Sequence, residues 1–166
     1  MRLHAFLLGM TTLASACAVP VAGTSPSTAA PPASPTPEIA GDIVSRTNAE
    51  RAAHGLFGLT RSDALMRAAQ IHAEQMAAQL TMSHELPEAR YPTLSTRLAA
   101  VGYKMLASAE NIAEGYSSAA SVVAGWMSST GHRENILSTR YAEMGAGMAI
   151  GRNGRRFYAQ VFGRPR

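Results

Sequence analysis

The chain has 166 residues, of which 46% are hydrophobic and 16% are charged. This size is typical of one folded domain, and the apolar content excludes a chain that is disordered throughout. The formal net charge is only +4, which is too small to indicate binding to nucleic acid, so no nucleic acid is expected among the partners. The single cysteine excludes a disulfide framework and a cysteine-based zinc finger.

The N-terminus has the features of a secretory signal peptide. Arg2 provides a basic start, an apolar run extends over residues 5–13, and residues 14–16 (Ala-Ser-Ala) offer small side chains for cleavage. The run is too short to cross a membrane. We therefore predict that residues 1–16 are a signal peptide and that the mature protein works outside the cytoplasm.

The only cysteine, Cys17, directly follows this segment. Its place resembles that of the cysteine in a bacterial lipobox, which becomes lipidated, although Leu13 lies one position further upstream than in the usual pattern. Lipid attachment at Cys17 is the preferred interpretation, and plain secretion is the alternative. The anchor would hold the protein at a membrane, in the periplasm or at the cell surface, and would be its only membrane contact.

The next segment has the composition of a linker. Residues 18–37 consist of Ala, Pro, Ser, Thr, Val and Gly, so they cannot bury enough apolar surface to offset the loss of chain entropy. Proline also interrupts helices and sheets. We predict that residues 17–37 contain the lipid-anchor cysteine and an extended tether, and that residues 38–166 form the folded domain.

The folded domain is predicted to begin with helices. Apolar residues recur at intervals of three or four in four segments, which is the spacing of a helix with one buried face. The four segments are residues 39–54, 62–80, 93–101 and 118–128. His72 lies on the apolar face of the second helix, where we expect a core or cleft-edge histidine with a hydrogen-bond partner.

The spacing changes near the C-terminus. Residues 144–150 alternate in a period of two, and Asn153-Gly154 is followed by a second segment of aromatic and branched residues at 157–162. Alternation around an Asn-Gly turn is typical of a β-hairpin. Helices followed by antiparallel strands indicate an α+β domain with helices packed on a small antiparallel sheet.

Several short motifs occur in a fixed order along the folded part. They are Asn48-Ala49-Glu50-Arg51, Ser83-His84, Glu110-Asn111-Ile112-Ala113, residues 126–137 (Trp-Met-Ser-Ser-Thr-Gly-His-Arg-Glu-Asn-Ile-Leu), Met144-Gly145-Ala146-Gly147 and Gln160-Val161-Phe162-Gly163. This order closely resembles the CAP superfamily of cysteine-rich secretory proteins, antigen 5 and pathogenesis-related 1 proteins, in particular its bacterial branch of SCP-like extracellular proteins. The resemblance covers residues 40–163 and implies an α-β-α sandwich.

The resemblance also implies a cleft lined by two histidines and two acidic residues, which in several family members binds a divalent metal. The matching motifs place His84, Glu110 and His132 in this cleft, and Ser129 stands at the second acidic position. Two histidines and one carboxylate are a known ligand set for Zn²⁺. The three residues are therefore candidate ligands for zinc or another divalent metal. The alternative is that they only hydrogen-bond to one another and support the cleft.

Three functions are open at this stage. The first is a cell-envelope binding module with a cleft bordered by Ser129. Its ligand would be a small hydrophobic or envelope-derived molecule, or an envelope protein. Relatives in the family have been linked to sterol and lipid binding. The second is a metal-dependent hydrolase in which Glu110 acts as a ligand or general base. The third is a structural envelope protein with an empty cleft. Whether the chain is an enzyme depends on which of these holds.

Overall fold

The structure is a computed structural model that describes residues 36–166. The predicted signal peptide, lipid attachment at Cys17 and nearly all of the predicted linker lie outside the described residues. The helices are α1 (Thr36–Ala53), α2 (Asp63–Gln79), α3 (Leu94–Ala100), α4 (Ala119–Ser128) and α5 (Thr130–Leu137). The strands are β1 (Thr60–Arg61), β2 (Met105–Glu114), β3 (Glu143–Ile150) and β4 (Arg156–Pro165).

The four strands form one sheet in the order β1-β3-β4-β2. Strands β3 and β4 are the predicted hairpin, and β2 pairs antiparallel with the other side of β4. Gly154 in the hairpin turn has a φ of 78°, a left-handed conformation that glycine adopts without steric cost. The two-residue strand β1 pairs parallel with β3, so the sheet is mixed at this edge, while β2, β3 and β4 form the predicted small antiparallel sheet.

Helices cover both faces of the sheet, and β4 shows the division. Its side chains at 157, 159 and 161 belong to the core shared with α2 and α3, whereas Tyr158 and Phe162 belong to the core shared with α1, α4 and α5. Successive side chains of a strand point to opposite faces, so one strand contributes to both cores. The predicted α-β-α sandwich is confirmed.

Helix α2 packs unusually close to β3 because glycine faces it. A Cβ atom at Gly145 would lie 2.2 Å from the backbone of Leu65, and one at Gly147 would lie 2.4 Å from the backbone nitrogen of Gln70. These distances are far below van der Waals contact, so a side chain at either position would push the helix off the sheet. The two glycines therefore set the distance between this helix and the sheet.

The four predicted helices are confirmed within a few residues, but two further elements differ from the prediction. Strand β2 was not predicted because Glu110 and Asn111 interrupt its apolar pattern, yet both residues are buried. Helix α5 was not predicted because Gly131, a residue that disfavours helix, lies in its first turn. Within residues 36–166, none of the helices has the length and apolar character needed to cross a membrane.

Candidate functional site

Glu110 is the centre of the candidate site. It lies in β2, and only 3% of its side chain is exposed. Arg97 Nη2 contacts Oε2 at 3.0 Å and Oε1 at 3.2 Å, and His84 Nδ1 lies 3.0 Å from Oε1. A carboxylate removed from water needs such partners, because an unpaired buried charge is strongly unfavourable.

His84 lies in the segment between α2 and α3 and is the exposed member of the site. Its side chain is 56% exposed. The hydrogen bond to Glu110 raises the pKa of His84 from its ordinary value, although partial burial opposes the shift. Because Nδ1 faces the carboxylate, Nε2 lies on the opposite side of the ring. The sequence motif placed His84 and Glu110 in one cleft, and the structure brings these two side chains into contact.

Arg97 is a member of the site that the sequence analysis missed. It lies in α3, its side chain is fully buried, and it forms an ion pair with Glu110. Burial lowers the pKa of Arg97, and the negative charge of Glu110 opposes this shift; the guanidinium nevertheless stays protonated. The sequence did indicate that Arg97 is buried. It lies three residues after Leu94 and four before Val101, and this spacing places it on the apolar face of a predicted helix.

His72 lies in α2 behind Glu110 and is fully buried, as predicted for a core histidine. The expected hydrogen bond is not formed, since Nε2 is 3.5 Å from Glu110 Oε1 and, within the described residues, neither ring nitrogen has a hydrogen-bond partner. Burial lowers the pKa of His72 to about 4, although Glu110 opposes the shift. His72 is therefore a neutral imidazole at pH 7.

Asn111, next to Glu110 in β2, links the sheet to α5. Its Nδ2 donates to the carbonyl of His132 and to Gln160 Oε1, each at 3.1 Å, and its Oδ1 accepts from Asn135 Nδ2 at 2.9 Å. Gln160 Nε2 in turn donates to Thr47 Oγ1 at 2.7 Å. This network holds the His132 segment against the sheet.

His132 lines a cavity of about 280 Å³ between β2, α4 and α5. Burial lowers the pKa of His132, and the charge of His84 adds to the shift, so the neutral imidazole is favoured at pH 7. Ser129 lines the same cavity as His132, whereas His84 and Glu110 are not among the residues that line it. Other lining residues include Met82, Ile112, Glu114 and Trp126.

The predicted metal ligands do not all come together in this geometry. Within residues 36–166, no three His, Cys, Asp or Glu side chains lie where they could share a metal ion. The contacts of Glu110 give a reason, because a cation at its carboxylate would meet the guanidinium of Arg97. The predicted set of His84, Glu110 and His132 therefore does not fit a three-ligand metal centre. The alternative prediction, mutual hydrogen bonding, describes the contact between His84 and Glu110.

Comparison with known families agrees with the fold and with the order of the motifs. Residues 44–162 match the CAP family, described as the cysteine-rich secretory protein family. The chain belongs to this family. The match includes most of both cores of the sandwich and all the site residues named above, so the sequence resemblance is confirmed.

Two proteins of Bacillus subtilis (strain 168) are similar to this CAP chain in sequence. The uncharacterized protein YkwD is 33% identical over 105 residues, which are 63% of this chain and 40% of YkwD. The uncharacterized membrane protein YlbC is 32% identical over 120 residues, which are 72% of this chain and 33% of YlbC. The matched region therefore spans less than half the length of either relative.

Two solved structures are similar in fold. An extracellular protein from Bacillus anthracis that contains an SCP domain superposes with a TM-score of 0.71 at 29% identity, covering 77% of this chain and 41% of that protein. An outer surface protein from Borrelia burgdorferi superposes with a TM-score of 0.67 at 21% identity, covering 75% of this chain and 90% of that protein. The second likeness concerns the fold alone.

Proposed function

We propose that this chain is an exported binding module whose cleft at His132 takes a small amphipathic ligand derived from the cell envelope. The observation that carries the proposal is the composition of the cavity wall. Ile112 and Trp126 form an apolar side, while His132 and Ser129 provide hydrogen-bonding groups at the same cavity. An acyl chain would pack against the apolar side, and its polar head would bind the imidazole or the hydroxyl.

The size of the cavity limits the ligand. A volume of about 280 Å³ lies just below the range of about 300–1,000 Å³ that is typical of small-molecule sites. One short acyl chain or one sugar unit matches this volume better than an entire lipid does.

The location outside the cytoplasm rests on the N-terminal sequence and on the relatives. Residues 1–16 have the signal-peptide pattern, and Cys17 is placed for lipid attachment, so we propose a membrane-anchored lipoprotein. The Bacillus anthracis neighbour is named as an extracellular protein, and the relative YlbC is named as a membrane protein. These names support export of the present chain.

The metal-dependent hydrolase gains no support from the site. It needs Glu110 either as a metal ligand or as a free general base. Both oxygens of Glu110 contact Arg97, and Oε1 also contacts His84. A carboxylate held in this way orients its partners and is not free to accept a proton from water.

The binding proposal is testable by tryptophan fluorescence. Trp126 is the only tryptophan and lines the cavity, so a ligand that enters should change its emission. We would titrate the full chain with sodium decanoate and, separately, with N-acetylglucosamine. We expect a saturable change with decanoate, because it provides both an apolar chain and an anionic head.

Two neighbouring serines provide a matched pair of variants. Ser129→Leu fills part of the cavity and should abolish the change, whereas Ser128→Leu alters an exposed position in the last turn of α4 and should leave it intact. The proposal fails if neither probe gives a saturable signal, or if both variants respond as the wild type does.

A further inference from the structure

Arg97 is a buried cation that contacts both the site and the segment before α3. Nη2 donates to both Glu110 oxygens and to the carbonyl of His84 at 3.3 Å, and Nη1 donates to the carbonyls of Tyr91 and Pro92 at 3.3 and 3.4 Å. One guanidinium thus joins α3, the segment that carries His84, and strand β2. It holds the main chain of His84 directly, through the carbonyl, and holds the His84 ring indirectly, through Glu110.

The chemistry of arginine suits this position. The guanidinium carries donors in a rigid planar fork and keeps its proton even when it is buried. Its charge at Glu110 is therefore permanent. A divalent cation bound to the same oxygens would have to overcome the repulsion of this charge in a region with little water, where charge–charge interactions are strong.

We propose that Arg97 is a positioning residue that takes, at Glu110, the place that a metal ion would need, so that the site around Glu110 contains a built-in cation and a fixed His84 ring. This inference goes beyond the proposed function, because it concerns how the site is held and says nothing about the ligand. Its test uses no envelope molecule, so either proposal can fail while the other stands.

The expected consequence concerns the tautomer of His84. A neutral imidazole carries its proton on one nitrogen and accepts on the other. The carboxylate of Glu110 lies 3.0 Å from Nδ1, so it selects the tautomer with the proton on Nδ1 and leaves Nε2 as an acceptor. A carboxylate that binds one imidazole nitrogen orients histidines in the same way in many sites.

The first experiment measures that tautomer. We would record the ring ¹⁵N signals of His84 at alkaline pH in the full chain, purified without a histidine tag. The wild type should show the Nδ1–H tautomer, and Arg97→Gln should shift the population towards Nε2–H, because Glu110 is no longer held. Arg140→Gln, at an exposed position, is the control and should match the wild type. Identical His84 signals in Arg97→Gln and the wild type would overturn the proposal.

The second experiment titrates the same proteins with Zn²⁺ alone. In the wild type the His84 signals should stay in place up to an equimolar amount, whereas in Arg97→Gln they should move and calorimetry should give an affinity at least tenfold higher. Movement of the His84 signals in the wild type would overturn the proposal. The wild-type titration can therefore contradict the proposal even if no variant folds.

A conservative variant separates charge from geometry. Arg97→Lys keeps a cation near Glu110 but loses the fork, so it should still resist Zn²⁺ while its His84 tautomers become mixed. If Arg97→Gln does not fold, the comparison of Arg97→Lys with the wild type tests the proposal. Binding of Zn²⁺ at His84 in Arg97→Lys, at an affinity tenfold above that of the wild type, would show that the positive charge is not what excludes the metal.

Discussion

Replacing Asn111 by alanine should destabilise the domain by about 3 kcal/mol, because it removes three hydrogen bonds at about 1 kcal/mol each. The bonds join Asn111 to the carbonyl of His132, to Gln160 and to Asn135. Asn111 and Gln160 are both fully buried, so water cannot readily replace the bond between them. The loss is a large fraction of the total of about 5–15 kcal/mol that is typical of a folded domain.

The measurement is urea unfolding followed by the emission of Trp126, which is buried in the folded state. Asn135→Ala is the control, because it removes only one bond of the same network, at a half-buried residue, and should cost about 1 kcal/mol. The midpoint of thermal unfolding should fall by about 10 °C in Asn111→Ala. A loss below 1 kcal/mol in Asn111→Ala, or an equal loss in both variants, would refute the reasoning.

Three further predictions concern pH, the anchor and the linker. Because the pKa of His72 is lowered to about 4 beside Glu110, Arg97 and His84, the unfolded chain binds a proton near pH 6.5 that the folded chain does not. The free energy of unfolding should therefore fall between pH 6.5 and 4 by up to about 3 kcal/mol more in the wild type than in His72→Met. The same pH dependence of this free energy in both proteins, measured by urea unfolding, would contradict the prediction. The wild type should fractionate with membranes and Cys17→Ser should be released, whereas equal solubility of the two exported proteins would show that Cys17 is not an anchor. Deletion of residues 18–35 should leave the unfolding midpoint within about 2 °C, because that composition cannot pack against a core, and a larger drop would mean that the segment docks on the domain.

Elements with a clear apolar period were predictable, whereas β2 and α5, which carry Glu110 and His132, were not. The segments of α1 to α4 carry apolar residues at intervals of three or four, the β3–β4 hairpin alternates with a period of two, and the structure confirms these elements. Helix α5 has only one fully buried residue, Ile136, so its apolar signal is too weak to identify a helix. Strand β2 carries Glu110 and Asn111 at positions where a sheet usually has apolar residues, because their polar atoms hold the site.

The site could be predicted only in part for a related reason. The motifs located His84, Glu110, Ser129 and His132, but spacing along the chain does not report which charges meet in space. The ion pair between Arg97 and Glu110 joins residues from a helix and a strand whose relative position only the tertiary packing sets. This pair changes the interpretation of Glu110 from a metal ligand to a group that fixes His84.

The charge of the cleft leads to the last prediction. Glu110 is paired with Arg97, and Glu114, which lines the cavity, lies 3.3 Å from Arg155. The uncharged polar residues Tyr116, Ser129 and His132 also line the cavity, so an anionic head should meet little repulsion. Ser129→Glu would add a negative charge at the N-terminus of α5, where it is favourable, and at the C-terminus of α4, where it is unfavourable, so the two helix-dipole effects oppose each other.

The added charge should weaken decanoate binding by about fivefold, since one like-charge contact of a few ångströms in a partly hydrated cleft costs about 1 kcal/mol. Ser129→Gln has the same shape without the charge and should change the affinity much less. The Trp126 titration provides the measurement, and added salt should reduce the difference between the two variants, since salt screens exposed charges. Equal affinities of Ser129→Glu and Ser129→Gln would show that the head of the ligand does not lie near Ser129, and the orientation proposed for the ligand would then be wrong.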